Sequence, residues 1–383
     1  MSEPLRVAYV TTYDAADVFP YSGIGYHVAG ALRGEGIEME YIGPLNEAFG
    51  LYYKARQYLF AKVLQKGFPR DREPSILKHY ARQIEARLKN SSAQIVFSPG
   101  GVAITRLRCE QPIVIWADTT FDQLIDYYWP RAAYSATFLR QGSAQEREAL
   151  ERATVAIFSS DWAAQFAIRF YQLKPEKVKV VPYGANVDCR HTPADIERMV
   201  DARPRDVCRL LLLGVDWKRK GCDEAIEVAR KLNESGLKTH LTIAGCKAPG
   251  AVPEFCTVAG FISKKTPEGR DRINRLLAES HFFLLPTRAE CAAIVFCEAS
   301  AFGLPSIAPK IGGISTVVTD GVNGQTFPVH SFITDACSHI HDIFNNQNAY
   351  RDLALSSFNE YTKRLNWKVA GERVKAILDK VAG

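Results

Sequence analysis

The stretch Leu5-Arg-Val-Ala-Tyr-Val-Thr-Thr12, which runs into a loop ending in Ser22-Gly-Ile-Gly25, decides the fold. Residues 5–12 are short, apolar and rich in β-formers, and this predicts a buried strand. A helix is predicted from residue 25 to 33, where the Gly34-Glu-Gly36 breaker ends it, and the next strand covers residues 37–42. The order strand, helix, strand indicates a parallel sheet covered by helices.

The same alternation continues along the chain. The clearest further helix is predicted at residues 143–152, and further strands at 94–97, 112–116, 154–158, 178–181, 209–213, 239–244, 257–262, 282–285 and 306–308. Polar residues with Pro193 and Pro204 predict a linker at 183–205. Because one core stops growing at about 250–300 residues, we predict two α/β, Rossmann-like, doubly wound domains facing a central cleft. They cover residues 1–188 and 189–361, and a last helix, 362–383, packs back on the first.

Composition indicates an ordinary folded protein, with 47% hydrophobic and 23% charged residues. The first residues lack the apolar core of a secretion signal, and no run reaches the roughly 18–20 apolar residues that span a bilayer. Nine scattered cysteines without a C-x-x-C pair predict reduced thiols. We therefore expect a cytoplasmic protein.

The positive charge is concentrated in residues 54–89, which hold ten Lys and Arg against three acids. Apolar residues alternate with these cations at helical spacing. Two interpretations stay open: a surface that rests on the inner face of an anionic membrane or holds an anionic acceptor, and a solvated helical face with a buried apolar stripe.

The most specific motif is Glu290-Cys-Ala-Ala-Ile-Val-Phe-Cys-Glu298, which joins a predicted strand to a predicted helix. Glu290 lies in the loop and Glu298 about one turn into the helix. The free amide groups near Ile294 and Val295 suit a diphosphate, while the two carboxylates suit sugar and ribose hydroxyls. Two glutamates at this interval also occur by chance in ordinary helices.

A second motif, Leu213-Gly-Val-Asp-Trp-Lys-Arg-Lys-Gly221, places three cations between the glycine that ends a strand and the glycine that begins a helix. Lys220 and Arg219 are candidates to stabilise the negative charge of a leaving diphosphate. A solvated Lys-Arg-Lys run is the alternative, but the carboxyl end of a strand in a doubly wound sheet favours a functional loop.

In the first half, the loop with Gly23 and Gly25 does not complete a G-x-G-x-x-G fingerprint, because Val28 stands at the last position. It is either a tight turn or a binding loop. His27 is expected to be a packing residue. The sequence has no D-x-D, H-E-x-x-H or Walker motif, so we predict no metal site and no ATPase.

At these residues the chain resembles family 4 of the retaining glycosyltransferases, which have the GT-B fold. The resemblance covers both halves, including Val181-Pro-Tyr-Gly-Ala-Asn-Val-Asp188, the Gly214 to Gly221 loop, Gly245, Val258-Ala-Gly-Phe261 and Glu290 to Pro305. It implies that Glu298 binds ribose, Glu290 the donor sugar, Lys220 the diphosphate, the backbone near Phe261 the base, and the Gly23 to Gly25 loop the donor phosphate or the acceptor.

Three departures from the family pattern stand out. The usual E-G-F-G-L is Glu290-Cys-Ala-Ala-Ile294, which puts donor preference in doubt. Val215 replaces an arginine, whose charge Arg219 or Lys218 must then supply. Where relatives carry a histidine near the donor sugar, this chain offers Asp118, with a helix cap as the alternative.

We therefore predict a metal-independent transferase that uses a UDP- or GDP-linked sugar as substrate, with no cofactor and no nucleic acid partner. Retention at the anomeric carbon is what the family resemblance implies. The acceptor, a glycan, a lipid-linked molecule or a small molecule, is not identified. A sugar-nucleotide epimerase, a dinucleotide oxidoreductase and a non-catalytic sugar-nucleotide-binding protein are the alternatives.

Overall fold

The structure, a computed structural model, describes residues 4–18, 20–187 and 189–383. The chain divides into two compact units, the described parts of Met1–Pro182 with Trp367–Gly383, and Tyr183–Asn366. The boundaries predicted from the sequence lie after residues 188 and 361. Asp188, the last residue of the Val181 motif, lies outside the described residues.

The first unit is a parallel six-stranded sheet in the order β2-β1-β3-β4-β5-β6. Its strands are β1 (Arg6–Val10), β2 (Glu38–Ile42), β3 (Ile95–Ser98), β4 (Ile113–Ala117), β5 (Val155–Phe158) and β6 (Val178–Val180). Its helices are α1 (Ile24–Gly34), α2 (Gly50–Leu59), α3 (Pro74–Leu88), α4 (Phe121–Leu124), α5 (Ala136–Arg152) and α6 (Asp161–Tyr171). The predicted strands thus exist, and the helix predicted at 143–152 is longer at its amino end.

The second unit repeats this plan in the order β12-β11-β10-β7-β8-β9, again with every neighbouring pair parallel. Its helices are α7 (Pro193–Asp201), α8 (Cys222–Glu234), α9 (Pro267–Glu279), α10 (Ile294–Ser300), α11 (Ile314–Val317), α12 (Phe332–Asn345) and α13 (Gln347–Arg364). Its strands are β7 (Cys208–Leu213), β8 (Thr239–Ala244), β9 (Cys256–Gly260), β10 (Phe282–Leu284), β11 (Ser306–Pro309) and β12 (Gly324–Phe327). The edge strand β12 was not predicted.

The strand order reverses between β1 and β3 in one unit and between β7 and β10 in the other. Ligands of open α/β sheets bind beyond the carboxyl ends of the strands at such a reversal. The loops that follow β7 and β10 are the two that carry the cation motif and the glutamate motif. The topology therefore brings both motifs to one place.

The linker predicted at 183–205 is wrong in part, because this stretch contains helix α7. Thr192 caps it by accepting a hydrogen bond from the Asp195 amide, Pro193 occupies its first turn, and Ile196 and Val200 are buried. Proline fits the first turn of a helix because the amide it lacks would have no partner there. The prolines of this stretch suggested a linker, whereas Pro193 marks the start of a helix.

The last helix, α14 (Trp367–Ala382), belongs to the first unit and packs on α1. A Cβ at Gly371 would lie 2.8 Å from the Ala31 carbonyl oxygen, so the two backbones approach closely. His27 stacks on Trp367 with ring centroids 5.6 Å apart. The single helix predicted over residues 362–383 is interrupted at 365–366, between α13 and α14.

All nine cysteines lie in the described part of the chain, and none of them forms a disulfide there. Among the described residues, none of the helices combines the length and the apolar composition that a bilayer crossing requires.

His281 makes the second unit sensitive to acid. The Arg209 amide donates to its Nδ1 at 3.0 Å, and its Nε2 donates to the Pro204 carbonyl at 2.8 Å, so the buried ring is held neutral. Burial, reinforced by the nearby Arg203 charge, lowers the pKa of His281 to about 3. The unfolded chain takes up this proton below about pH 6.5, so the stability is complete above that pH and is lost as the pH falls toward 3.

We expect the free energy of unfolding to fall by about 2 kcal/mol between pH 7 and pH 5 through this group. Urea unfolding of the wild type and of His281→Gln at both pH values measures it. His341→Gln, at an exposed histidine, is the control. An identical pH dependence in wild type and His281→Gln would contradict the assignment.

Candidate functional site

The loops after β7, β8 and β10 are in direct backbone contact at the carboxyl edge of the second sheet. Gly221 has φ +72°, and a Cβ there would lie 2.0 Å from the Pro286 carbonyl oxygen. Gly245 has φ +112°, and its Cβ would lie 2.4 Å from the Gly214 carbonyl oxygen. Only glycine fits these positions, and the glycines thus hold the cation loop against the glutamate loop.

Lys220 and Glu290 form an ion pair across this contact. Lys220 Nζ lies 2.5 Å from Glu290 Oε2, and the two side chains are 8% and 13% exposed. A Cβ at Gly214 would lie 2.5 Å from Lys220 Cγ, so this glycine leaves room for the lysine stem. Residues 70 positions apart in the sequence are therefore fixed together by loop packing.

Arg219 also faces Glu290. Its Nη1 lies 3.9 Å from Glu290 Oε2 and donates to the Ala289 carbonyl at 3.2 Å, while its own carbonyl accepts from the Arg288 amide at 2.8 Å. Lys218 is exposed. Of the two cations predicted to replace the charge missing at Val215, the structure brings Arg219 to the carboxylate.

Glu298 is the fifth residue of α10, which begins at Ile294 as the motif predicted. The residue is 2% exposed. Lys264 Nζ lies 2.5 Å from its Oε1, whereas its Oε2 is buried and has no hydrogen-bond partner among the described residues. A buried polar atom without a partner costs roughly 1–3 kcal/mol. This oxygen is therefore suited to accept a hydrogen bond from a ligand hydroxyl.

Lys264 was missed by the sequence analysis. It lies in the loop after β9, four residues beyond Gly260, and its side chain is 39% exposed. The same loop begins with Phe261, which is 68% exposed. The sequence around a lysine in a polar loop does not show that it is a site residue. Lys264 is recognised as one only because the folded loop lies beside α10. The contacts predicted for the base at Phe261 and for the amides of Ile294 and Val295 stay predictions.

In the first unit, local structure explains why glycine stands at positions 23 and 25. Gly23 has φ +78° and is the N-cap residue of α1. A Cβ at Gly25 would lie 2.1 Å from Tyr13 Oη, so the tyrosine ring occupies the space of a side chain. The tight-turn interpretation thus accounts for these residues, and their contact with a donor or acceptor stays a prediction.

Asp118 follows β4 directly and is half-buried. The N-cap position of α4 belongs to Thr120, so the helix-cap alternative for Asp118 is wrong.

A polar pair that was not predicted from the sequence lies in the same unit: Arg72 Nη2 is 3.5 Å from Glu146 Oε2. Burial raises the pKa of Glu146, against the opposing effect of Arg72. Glu146 Oε1 would lie 3.6 Å from a Cβ at Gly101, which is in the loop after β3.

No group of three or more His, Cys, Asp or Glu side chains is arranged to hold a metal ion within residues 4–18, 20–187 and 189–383.

Comparison with known proteins matches both halves of the chain. Residues 25–188 match the family model "Glycosyltransferase Family 4", and residues 208–346 match "Glycosyl transferases group 1". Lipopolysaccharide glucosyltransferase WaaG of Escherichia coli K12 is 26% identical over 205 residues, 52% of this chain and 52% of WaaG. The chain thus spans about half the length of the curated relatives it matches.

Two solved structures have the same fold along nearly the whole chain. Sucrose-phosphate synthase from Thermosynechococcus elongatus superposes with a TM-score of 0.72 at 15% identity, over 98% of this chain and 99% of that one. HepE from Anabaena, in complex with UDP and glucose, gives 0.61 at 14% identity, over 98% and 99%. Because glycosyltransferase family models match both halves of the chain, and the two parallel six-stranded sheets agree with the fold of the solved structures, the chain belongs to family 4 of the glycosyltransferases, which have the GT-B fold.

Proposed function

We propose that the protein transfers a sugar from a UDP- or GDP-linked donor to an acceptor hydroxyl, with retention at the anomeric carbon and without a metal ion. The observation that carries the proposal is Glu298, a buried carboxylate with one oxygen on Lys264 and the other without a partner. It lies in the unit whose sheet edge also holds the Lys220–Glu290 pair. A ribose hydroxyl would satisfy the Glu298 oxygen, and a diphosphate-sugar would reach the pair.

In this proposal, Lys220 stabilises the negative charge that develops on the leaving diphosphate. The bond between the anomeric carbon and the diphosphate oxygen breaks, the acceptor oxygen bonds to that carbon on the same face, and the acceptor proton passes to the diphosphate. An ammonium group has three N–H donors, so Lys220 can contact Glu290 and a phosphate oxygen together. Arg219, whose Nη1 lies 3.9 Å from the same Glu290 oxygen, adds a second positive charge for the leaving group.

Glu290 supplies the sugar contact in this proposal. Its Oε2 is engaged by Lys220, and the carboxylate has further acceptor positions for sugar hydroxyls. Cys291, Ala292 and Ala293 follow it, so small side chains border the place of the sugar. Asp118 is proposed as a group of the first unit that contacts the donor sugar or the acceptor.

The relatives support glucose as the first sugar to test. WaaG is a glucosyltransferase of lipopolysaccharide, and HepE was solved with UDP and glucose. The involvement of WaaG in lipopolysaccharide biosynthesis also supports an acceptor presented at a membrane surface, which we propose for this chain together with peripheral membrane contact.

A thermal-shift screen of UDP-, GDP- and ADP-sugars tests the proposal. A donor at 100 times its Kd stabilises the folded protein by about 2.7 kcal/mol, which raises Tm by several degrees. Free nucleoside diphosphate should then be released, the product's anomeric configuration should match the donor's by NMR, and EDTA should leave the rate unchanged. A donor that stabilises the protein and is never cleaved would favour a binding protein, and release of an epimerised nucleotide-sugar would favour an epimerase.

A further inference from the structure

Exposed apolar side chains concentrate on residues 49–66 of the first unit, which we call the docking segment. It is helical through α2 and a π-helical turn, Phe60–Leu64. Seven of its large apolar or aromatic side chains are 54–85% exposed: Phe49, Leu51, Tyr52, Tyr58, Leu59, Val63 and Leu64. A clustered apolar surface of this kind marks an interaction site, whereas single exposed apolar residues are ordinary.

The docking segment is held to the unit by its opposite side. Tyr53 is its one buried residue in α2, and its hydroxyl lies 2.6 Å from Ser75 Oγ. The Arg56 guanidinium lies 4.8 Å from the centre of the Phe68 ring. Leu51 and Tyr58, like Tyr52 and Leu59, are seven residues apart and share a helix face. The exposed face is therefore directed away from the core.

Charge surrounds this apolar face. Residues 48–70 contain no acid and five cations, Lys54, Arg56, Lys62, Lys66 and Arg70. Arg56 and Arg70 pair with acids outside that stretch, at 3.6 and 3.0 Å. Lys54 and Lys62 pair with no group in the part of the chain that the structure describes. Their charges remain available beside exposed leucine and tyrosine side chains.

The rest of the basic region behaves differently. Helix α3 buries Ile76, Leu77, Tyr80 and Ile84 in the core of the first unit. For α3 the solvated helical face with a buried apolar stripe is therefore the correct interpretation. The candidate membrane-binding surface is therefore residues 49–66 and not the whole of the predicted range 54–89.

We infer that the docking segment binds an anionic lipid bilayer, with its leucine and tyrosine side chains at the level of the headgroups and its lysines on the lipid phosphates. Tyrosine and lysine suit this depth, since each has an apolar body and a polar end. A second copy of the chain fits less well, because a twofold contact would bring the same lysines face to face. Helix α2 follows the carboxyl end of β2, so docking holds that sheet edge near the lipid.

Vesicle sedimentation of the whole protein tests the inference. We expect it to sediment with phosphatidylcholine vesicles containing about 30% phosphatidylglycerol, to stay in solution with phosphatidylcholine alone, and to be released by salt. The variants Leu51→Ser/Leu59→Ser and Lys54→Glu/Lys62→Glu should each weaken binding at least roughly tenfold. Val329→Ser and Lys368→Glu, at other exposed positions, should bind as the wild type does.

Binding that is equal on both vesicle types, or unchanged in both variants, would overturn the inference. A concentration-dependent dimer that Leu51→Ser/Leu59→Ser abolishes would assign the surface to a second copy instead. Donor cleavage in the absence of vesicles separates this question from the proposed activity: the docking variants should cleave the donor at the wild-type rate, so failure of either proposal leaves the other testable.

Discussion

Lys220→Ala is expected to lower the rate of donor cleavage by roughly 10²–10³-fold while the protein stays folded. Removing one preorganised donor from a developing negative charge typically has an effect of this size. Because the charge on the diphosphate grows as the bond to the sugar breaks, the loss should appear in kcat and in kcat/KM together. Lys218→Ala, in the same loop but exposed, is the matched control and should retain its rate.

The variant also changes the ion pair, and this effect can be separated. Lys220→Ala removes the ammonium group 2.5 Å from Glu290 Oε2, a carboxylate whose side chain is 13% exposed in the wild type, and leaves Arg219 at 3.9 Å. Losing one partner of a buried pair is more destabilising than losing both. The double variant Lys220→Ala/Glu290→Gln should therefore recover stability in urea unfolding without recovering its rate. If folded Lys220→Ala cleaved the donor as fast as the wild type, the pair would be structural and the proposed catalytic role would be excluded.

The pairing of Lys220 with Glu290 could be predicted from the sequence because it follows from topology. Each residue lies in a loop after a β-rich apolar run, and the carboxyl ends of parallel strands share one edge. Gly214, which the sequence marks only as the end of a strand, leaves the space that the Lys220 stem fills. Strong local patterns thus sufficed for this half of the site.

Other features depend on contacts that no local pattern encodes. Lys264 is 34 residues from Glu298, and their pairing depends on where the loop after β9 lies relative to α10. Strand β12 has the sequence Gly-Gln-Thr-Phe and so lacks the apolar run that marked the predicted strands, some of which are no longer than β12. The exposure of the docking segment has the same origin: α2 and α3 are both basic and apolar in sequence, and only packing decides which of them buries its apolar side.

Glu298→Gln should weaken donor binding by roughly 10–100-fold, the equivalent of about 1.5–3 kcal/mol for hydrogen bonds to a charged group. The ribose does not take part in bond breaking, so the proposed interaction is equally strong in the ground state and the transition state. The variant should then raise KM and leave kcat nearly unchanged. This outcome differs in kind from that of Lys220→Ala, and the two variants together separate nucleotide binding from catalysis.

Lys264 provides the control for Glu298, because it allows charge and ligand contact to be changed separately. Lys264→Met leaves the buried carboxylate without its partner at 2.5 Å, so it should lower the free energy of unfolding by about 1–3 kcal/mol, a value reduced for the 39% exposure of the lysine. Lys264→Met/Glu298→Gln removes both charges and should regain that stability, yet its Tm should respond to the donor no more than that of Glu298→Gln. A double variant that bound the donor as tightly as the wild type would show that Glu298 serves only to neutralise Lys264, and the ribose contact would have to be abandoned.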